Sequence, residues 1–141
     1  MDHVVYLDAK ARELDLLLSQ QKSMLIRGAT GRKMPYGRVF AGDVLYLINN
    51  NAEGLILARA NVKNVINSEK MNREESIDLV DRHVTQLSLS KKQYERWAGK
   101  RYLVLIQVGD IAELDPFPID KSAYGNMDDW LAVETIESIK M

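Results

Sequence analysis

Hydrophobic and polar positions change their period several times along the chain, and each change marks an element. His3–Leu7 (HVVYL) is dominated by β-branched and aromatic residues and predicts a short strand. From Asp8 to about Gln20, Leu14, Leu17 and Leu18 recur at helical spacing among good helix formers. Ser23–Arg27 (SMLIR) is too short for a helix and predicts a strand, broken by Gly28-Ala-Thr-Gly31. Met34-Pro35-Tyr36-Gly37 keeps the chain irregular as far as Val39. Ala41-Gly42-Asp43 is a turn opening the strand Val44–Ile48. Asn49 to Gly54 carries three successive asparagines, which tolerate left-handed conformations, and Leu55–Ile66 runs extended after it. The two strands predict a hairpin.

Asn72 and Glu75 have the spacing of a capping box, ahead of a helix with Ile77, Val80, Val84 and Leu87 on one face. Ser90 and Gln93 repeat that spacing for a short helix ending at Gly99, with Tyr94 and Trp97 on its buried side. Arg101–Val108 is almost wholly apolar, as a central strand is. Gly109–Lys121, with Pro116 and Pro118, is expected to be irregular. A turn at Tyr124-Gly125-Asn126 precedes Trp130–Ile136, a strand with a helix as the alternative. No repeat, linker or low-complexity tract divides residues 1–141, so one domain is expected. Strands separated by long excursions, with too few helices for a parallel sheet, predict an α+β fold: a small mixed barrel with helices packed outside.

Composition narrows the chemistry. With 46% hydrophobic and 28% charged residues, the 141-residue chain is of ordinary globular type. The absence of cysteine excludes disulfides, thiolate metal sites and cysteine nucleophiles. His3 and His83 are the two histidines and have no metal-ligand spacing, so neither a metal nor a cofactor is expected. The longest apolar runs, Val44–Ile48 and Tyr102–Ile106, have five residues each, too few for a bilayer span. Met1-Asp2-His3 does not open a secretory leader, and a cytoplasmic protein is expected.

Net charge is −1, but its distribution is uneven. No acid lies between Asp15 and Asp43, where Lys22, Arg27, Arg32, Lys33 and Arg38 fall. From Gly109 onward eight acids face two lysines. This asymmetry points either to an anion-binding face or to a basic segment that pairs with the acidic tail. Gly28-Ala-Thr-Gly31-Arg-Lys33 is not a P-loop, because the glycines are too close and no Ser or Thr follows Lys33. What remains is a turn where Gly28 and Gly31 let backbone N–H groups approach an anion, beside Arg32 and Lys33. Trp97 and Tyr94 have core spacing, whereas Trp130, Tyr124 and Tyr36 are candidates for a ligand-facing ring. Lys22 with Arg27 is the leading constellation. Residues five apart in a regular strand face opposite sides, so a bulge near Gly28 would be needed to bring them together. The alternative is a salt bridge from either cation to Asp43 or to the acidic tail.

These residues carry a resemblance. A helix followed by Gln21-Lys22-Ser23-Met24-Leu25-Ile26-Arg27, a variable loop, and Ala41-Gly42-Asp43-Val44-Leu45 resemble the ASCH family of the PUA-like superfamily. With the later helices and the closing strand Tyr102–Val108, the likeness spans about residues 10–108. It implies a PUA-like β-barrel with a cleft suited to RNA or a modified nucleobase. Some members are amidohydrolases acting on acetylated cytidine, using the lysine, a threonine three residues on, and a glutamate in the helical region. Here the lysine is Lys22, the threonine position is Leu25, which has no nucleophilic atom, and the acid is Glu75 or Asp78. The expected function is a binding module for RNA, a nucleotide or a modified nucleobase, held by Lys22, Arg27 and Arg32. The alternatives are a small amidohydrolase on a modified nucleoside and a regulatory interaction domain.

Overall fold

The computed structural model describes residues 1–124 and 129–141. Among them are six strands: β1 (Asp2–Leu7), β2 (Met24–Ala29), β3 (Val44–Asn49), β4 (Leu55–Asn67), β5 (Tyr102–Pro118) and β6 (Trp130–Glu134). Four helices accompany them: α1 (Glu13–Leu18), α2 (Arg73–Arg82), α3 (Val84–Leu87) and α4 (Lys91–Trp97). The strands form one curled mixed sheet in the order β2-β5-β4-β3-β1-β6. β1 and β3 are parallel, and every other neighbouring pair is antiparallel. This is the small mixed α+β architecture, with helices outside a curled sheet, that the strand pattern predicts.

The hairpin forms as the asparagine-rich reversal predicts, with Val44 opposite Asn61 and Ile48 opposite Ile56. Both capping boxes also form. Glu75 N–H donates to Asn72 Oδ1 at 2.8 Å and Asn72 N–H to Glu75 Oε1 at 3.0 Å. Ser90 and Gln93 exchange the equivalent bonds at the start of α4. Each box satisfies helix N–H groups that otherwise lack partners.

Three elements depart from the pattern. The first helix starts at Glu13 rather than Asp8: Asp8 Oδ1 accepts from Ala11 N–H at 3.0 Å, but Arg12 turns left-handed at φ 56°. The left-handed Arg12 interrupts the run of right-handed dihedrals that a helix from Asp8 would need. The second helix stops at Arg82, so Val84 is 58% exposed while Leu79, Val80 and Leu87 are buried. The segment after Val108, expected to be irregular, continues as β5 through Pro118, because β4 supplies partners as far as Leu55. Its ladder shifts register three times, the shift between Arg59 and Asn61 falling opposite Asp110, which has φ 52°. Trp130–Glu134 is a strand, so the helical alternative is set aside. Gly125 and Asn126 of the expected turn, and Asp128 of the acidic tail, lie outside the described residues.

Alternation along β5 divides the core. Val104, Ile106 and Val108 face the interior of the curl with Val5, Leu45, Leu47 and Leu25. Leu103 and Leu105 face the other way, against Leu79, Val80, Leu87 and Trp97 of the helices. A third cluster joins Val4, Ile48, Leu131 and Ile139. The helical layer therefore sits on β2 and β5, and it forms one wall of the cleft described next. Among the described residues, no helix is long and apolar enough to cross a membrane.

Candidate functional site

Arg27 leaves the edge strand β2 one residue before Gly28 and is itself buried. Its guanidinium donates to the Ile26 carbonyl at 2.7 Å and the Tyr6 carbonyl at 2.8 Å. It lies over two indoles, with Trp130 at 5.6 Å and Trp97 at 5.9 Å from the ring centroids. Asp129 Oδ2 approaches Nε at 3.3 Å. The contact is an ion pair by distance, but its geometry does not make a hydrogen bond. Among the described residues no acceptor satisfies the buried Nε–H.

Arg27 stands in the wall of a cleft of about 470 Å³. Lys33 and Met34 of the loop after β2 form one side, and Arg96, Trp97 and Lys100 at the end of α4 form the other. Four cations line it, and Asp129 is the acid among its lining residues. Arg96 stacks on Trp97 at 4.3 Å and comes within 3.8 Å of Asp129. Gly28 forms part of the floor. Its strand partner Leu103 gives its N–H to the Ser68 hydroxyl and its C=O to Ser68 N–H. By the alternation of antiparallel pairs, the Gly28 N–H then faces the unpaired edge of β2. A cleft with fixed cations, an aromatic wall and an edge N–H suits an anion attached to a flat ring.

A smaller chamber of about 160 Å³ continues past Arg27 and Asp129, lined by Tyr6, Asp8, Glu13, Asn50 and Gln93. Behind it lies Lys22. Its Nζ is 3.3 Å from Glu13 Oε2 and donates to the Leu87 carbonyl, with the side chain wholly buried. Gln93 Nε2 donates to the same Glu13 oxygen at 3.3 Å, and Asp8 N–H donates to the other at 3.1 Å. Burial lowers the Lys22 pKa, and the neighbouring Glu13 opposes that shift.

The structure therefore separates Lys22 from Arg27 in role. Lys22 holds α1 and α3 together through a buried ion pair rather than lining the cationic cleft, which corrects the expected constellation. The alternative reading of an ion pair to the acidic tail holds for Arg27, through Asp129. Arg32 is exposed and stacks on Tyr36 and Tyr102 at 5.6 and 5.7 Å, while Lys33 lines the cleft. Gly31 lines a narrow recess beside it. Neither Trp130 nor Tyr124 is among the described residues that line the cleft. Trp130 is buried with its indole N–H on His3, and Tyr124 packs on the third core cluster. Glu75 serves its capping box and Asp78 pairs with Arg82 at 3.0 Å, so the carboxylate beside Lys22 is Glu13 instead. Leu25 is a core residue.

No protein-family model and no curated protein matches the chain. Solved structures do. A tyrosine-to-phenylalanine mutant of ZmASCH from Zymomonas mobilis superposes with a TM-score of 0.70 at 14% identity, covering 97% of this chain and 93% of that one. A serine-to-alanine mutant of the same protein gives 0.69 at 15% identity over 97% and 91%, and the ASCH protein itself 0.65 at 16% over 94% and 89%. The chain has the ASCH fold.

Within this ASCH fold, Arg27, Gly28 and Lys33, singled out from the sequence, all line the cleft. Sequence reasoning missed Arg96, Lys100 and the cleft-facing side of Trp97. The signal available was the pair of cations flanking Trp97 at the end of α4. Trp97 is both core and wall: it is 7% exposed, packs with Leu103 and Leu105, and lines the cleft.

Proposed function

We propose that the chain is a binding module that holds RNA, a nucleotide or a modified nucleobase in the Arg27 cleft. The observation that carries this reading is the buried guanidinium with an unsatisfied Nε–H among the described residues, facing a cleft otherwise rich in cations. Leaving a buried charged donor without an acceptor costs free energy that an incoming phosphate or carbonyl oxygen recovers. Lys33, Arg96 and Lys100 add long-range attraction for an anion, and Trp97 offers an apolar wall. The test is a screen of nucleosides, nucleotides and short RNAs for thermal stabilisation, repeated on Arg96→Ala. A ligand at 100 times its Kd adds about 2.7 kcal/mol. Stabilisation that disappears in Arg96→Ala supports the reading, and no stabilisation by any compound leaves an interaction domain as the better account.

A second reading, a small amidohydrolase acting on a nucleoside such as acetylated cytidine, is favoured by the buried Lys22–Glu13 pair and the lowered Lys22 pKa. Leu25, fully buried where the resembling hydrolases have threonine, argues against it. We expect no cytidine release from the acetylated nucleoside. Turnover abolished by Lys22→Ala would replace the binding-module reading with this one.

A further inference from the structure

We infer that the Asp129 carboxylate occupies the place of a ligand phosphate, and that displacing it makes the cleft select phosphomonoesters over phosphodiesters. The inference rests on the binding reading above and specifies its phosphate chemistry. Asp129 Oδ2 lies 3.3 Å from Arg27 Nε and 3.8 Å from Arg96 Nη2. It lines both the outer cleft and the inner chamber, at their junction. Its main chain is anchored, because its carbonyl accepts from Tyr6 N–H at 3.0 Å and Trp130 beside it is buried. The side chain is not anchored in this way. It is 41% exposed, so rotation to another staggered well moves the carboxylate into water without moving the backbone. The contact is also incomplete, since the carboxylate neutralises Arg27 while its Nε–H stays without a hydrogen bond among the described residues. An oxygen placed in line with that N–H forms the charge-assisted bond that Asp129 does not.

Selection follows because the competitor is intramolecular. A tethered group acts at an effective concentration of about millimolar or above. A phosphodiester brings one negative charge, the same as the carboxylate it must displace, and gains little by the exchange. A phosphomonoester carries about −1.5 to −2 at pH 7 and three acceptor oxygens, enough to engage Arg27 and Arg96 together. The cleft is thereby suited to a terminal phosphate, on a nucleotide or at the end of an RNA, rather than to internal backbone.

The probes are adenosine 5′-monophosphate and 3′,5′-cyclic adenosine monophosphate, which differ in being monoester and diester. Each is titrated calorimetrically into wild type, Asp129→Asn, Arg96→Gln and Asp78→Asn at about 0.15 M salt, where the Debye length is about 8 Å. Wild type is expected to bind the monoester at least about tenfold more tightly, a difference of about 1.4 kcal/mol. Asp129→Asn should raise the affinity for the cyclic diester about tenfold and that for the monoester less, narrowing the ratio. Asp78→Asn, an exposed acid on α2, should change neither. Equal affinities in wild type, no gain in Asp129→Asn, or the same gain in Asp78→Asn would each overturn the inference. If monoester binding depends on Arg96 but Asp129→Asn is silent, this inference alone fails. If neither nucleotide binds any of the proteins, or binding ignores Arg96, the cleft reading fails with it.

Discussion

Lys22 Nζ lies 3.3 Å from Glu13 Oε2, and both side chains are buried. The pair bridges α1 to the start of β2, and the same ammonium reaches the Leu87 carbonyl of α3. Removing one member of a buried pair leaves the other charge uncompensated, typically at about 3–5 kcal/mol. Lys22→Met should therefore lower the urea midpoint strongly. Adding Glu13→Gln should recover part of the loss, since it removes the unpaired charge while its single amide oxygen still accepts from one of the two donors, Asp8 N–H or Gln93 Nε2. A Lys22→Met protein as stable as wild type would show that the pair does not hold these helices.

The Trp130 indole donates to His3 Nδ1 at 3.1 Å, and His3 Nε2 contacts Asp43 Oδ2 at 2.9 Å. An indole N–H only donates, so Nδ1 is the acceptor and the ring proton sits on Nε2. Burial lowers the His3 pKa below 6.5. The hydrogen bond and charge of Asp43 oppose that shift, the Met1 amino group adds to it, and Asp2 opposes it weakly. The unfolded chain then binds the proton more readily than the folded one. Stability should fall as pH drops from 6.5 and level off below the folded pKa. Melting curves between about pH 5 and 8 test this, and His3→Gln should flatten the acid side of the profile. An unchanged slope would assign the acid sensitivity to other groups.

Arg96 and Arg27 should separate binding from stability. Arg96 is 63% exposed, and its stack on Trp97 is a surface contact. Arg96→Ala and Lys100→Ala should leave melting nearly unchanged while weakening an anionic ligand about tenfold to a hundredfold, the loss of a bond worth about 1.5–3 kcal/mol. Arg27→Ala should lose both properties, because its guanidinium also satisfies the Ile26 and Tyr6 carbonyls. If RNA is the ligand, each lost phosphate contact should flatten the log-log salt dependence by about 0.7–0.9. Equal melting losses in all three variants, with affinity per folded molecule intact, would make these cations structural.

Gly28 and Gly31 should respond differently to alanine. A Cβ on Gly28 would lie 2.7 Å from Leu103 Cδ2 and 3.1 Å from the Tyr102 carbonyl. Gly28→Ala is expected to cost about 1–3 kcal/mol through overpacking. A Cβ on Gly31 meets nothing within 4 Å, so Gly31→Ala should fall within about 0.5 kcal/mol of wild type. Chemical denaturation of both variants checks the contrast, and a neutral Gly28→Ala would mean that β5 yields at Leu103.

By itself the sequence determined the elements that short-range physics specifies. Asn72 with Glu75 and Ser90 with Gln93 set two helix starts, because each cap closes over three residues. The asparagine turn and the alternation around it set the hairpin, and the unbroken apolar run of Tyr102–Ile106 marked a buried strand. Local charge and glycine placement drew attention to Arg27, Gly28 and Lys33, which line the cleft. The tertiary structure decided everything that depends on which distant residue arrives. Lys22 meets a carbonyl 65 positions away, and Gln93 meets Glu13 across 80. Residues 109 to 118 become strand because β4 lies alongside. Arg96 and Lys100 face Arg27 because α4 packs on β2. Periodicity reports which face of an element is apolar, whereas the partner of a charge is chosen by packing, and packing is set by the whole chain at once.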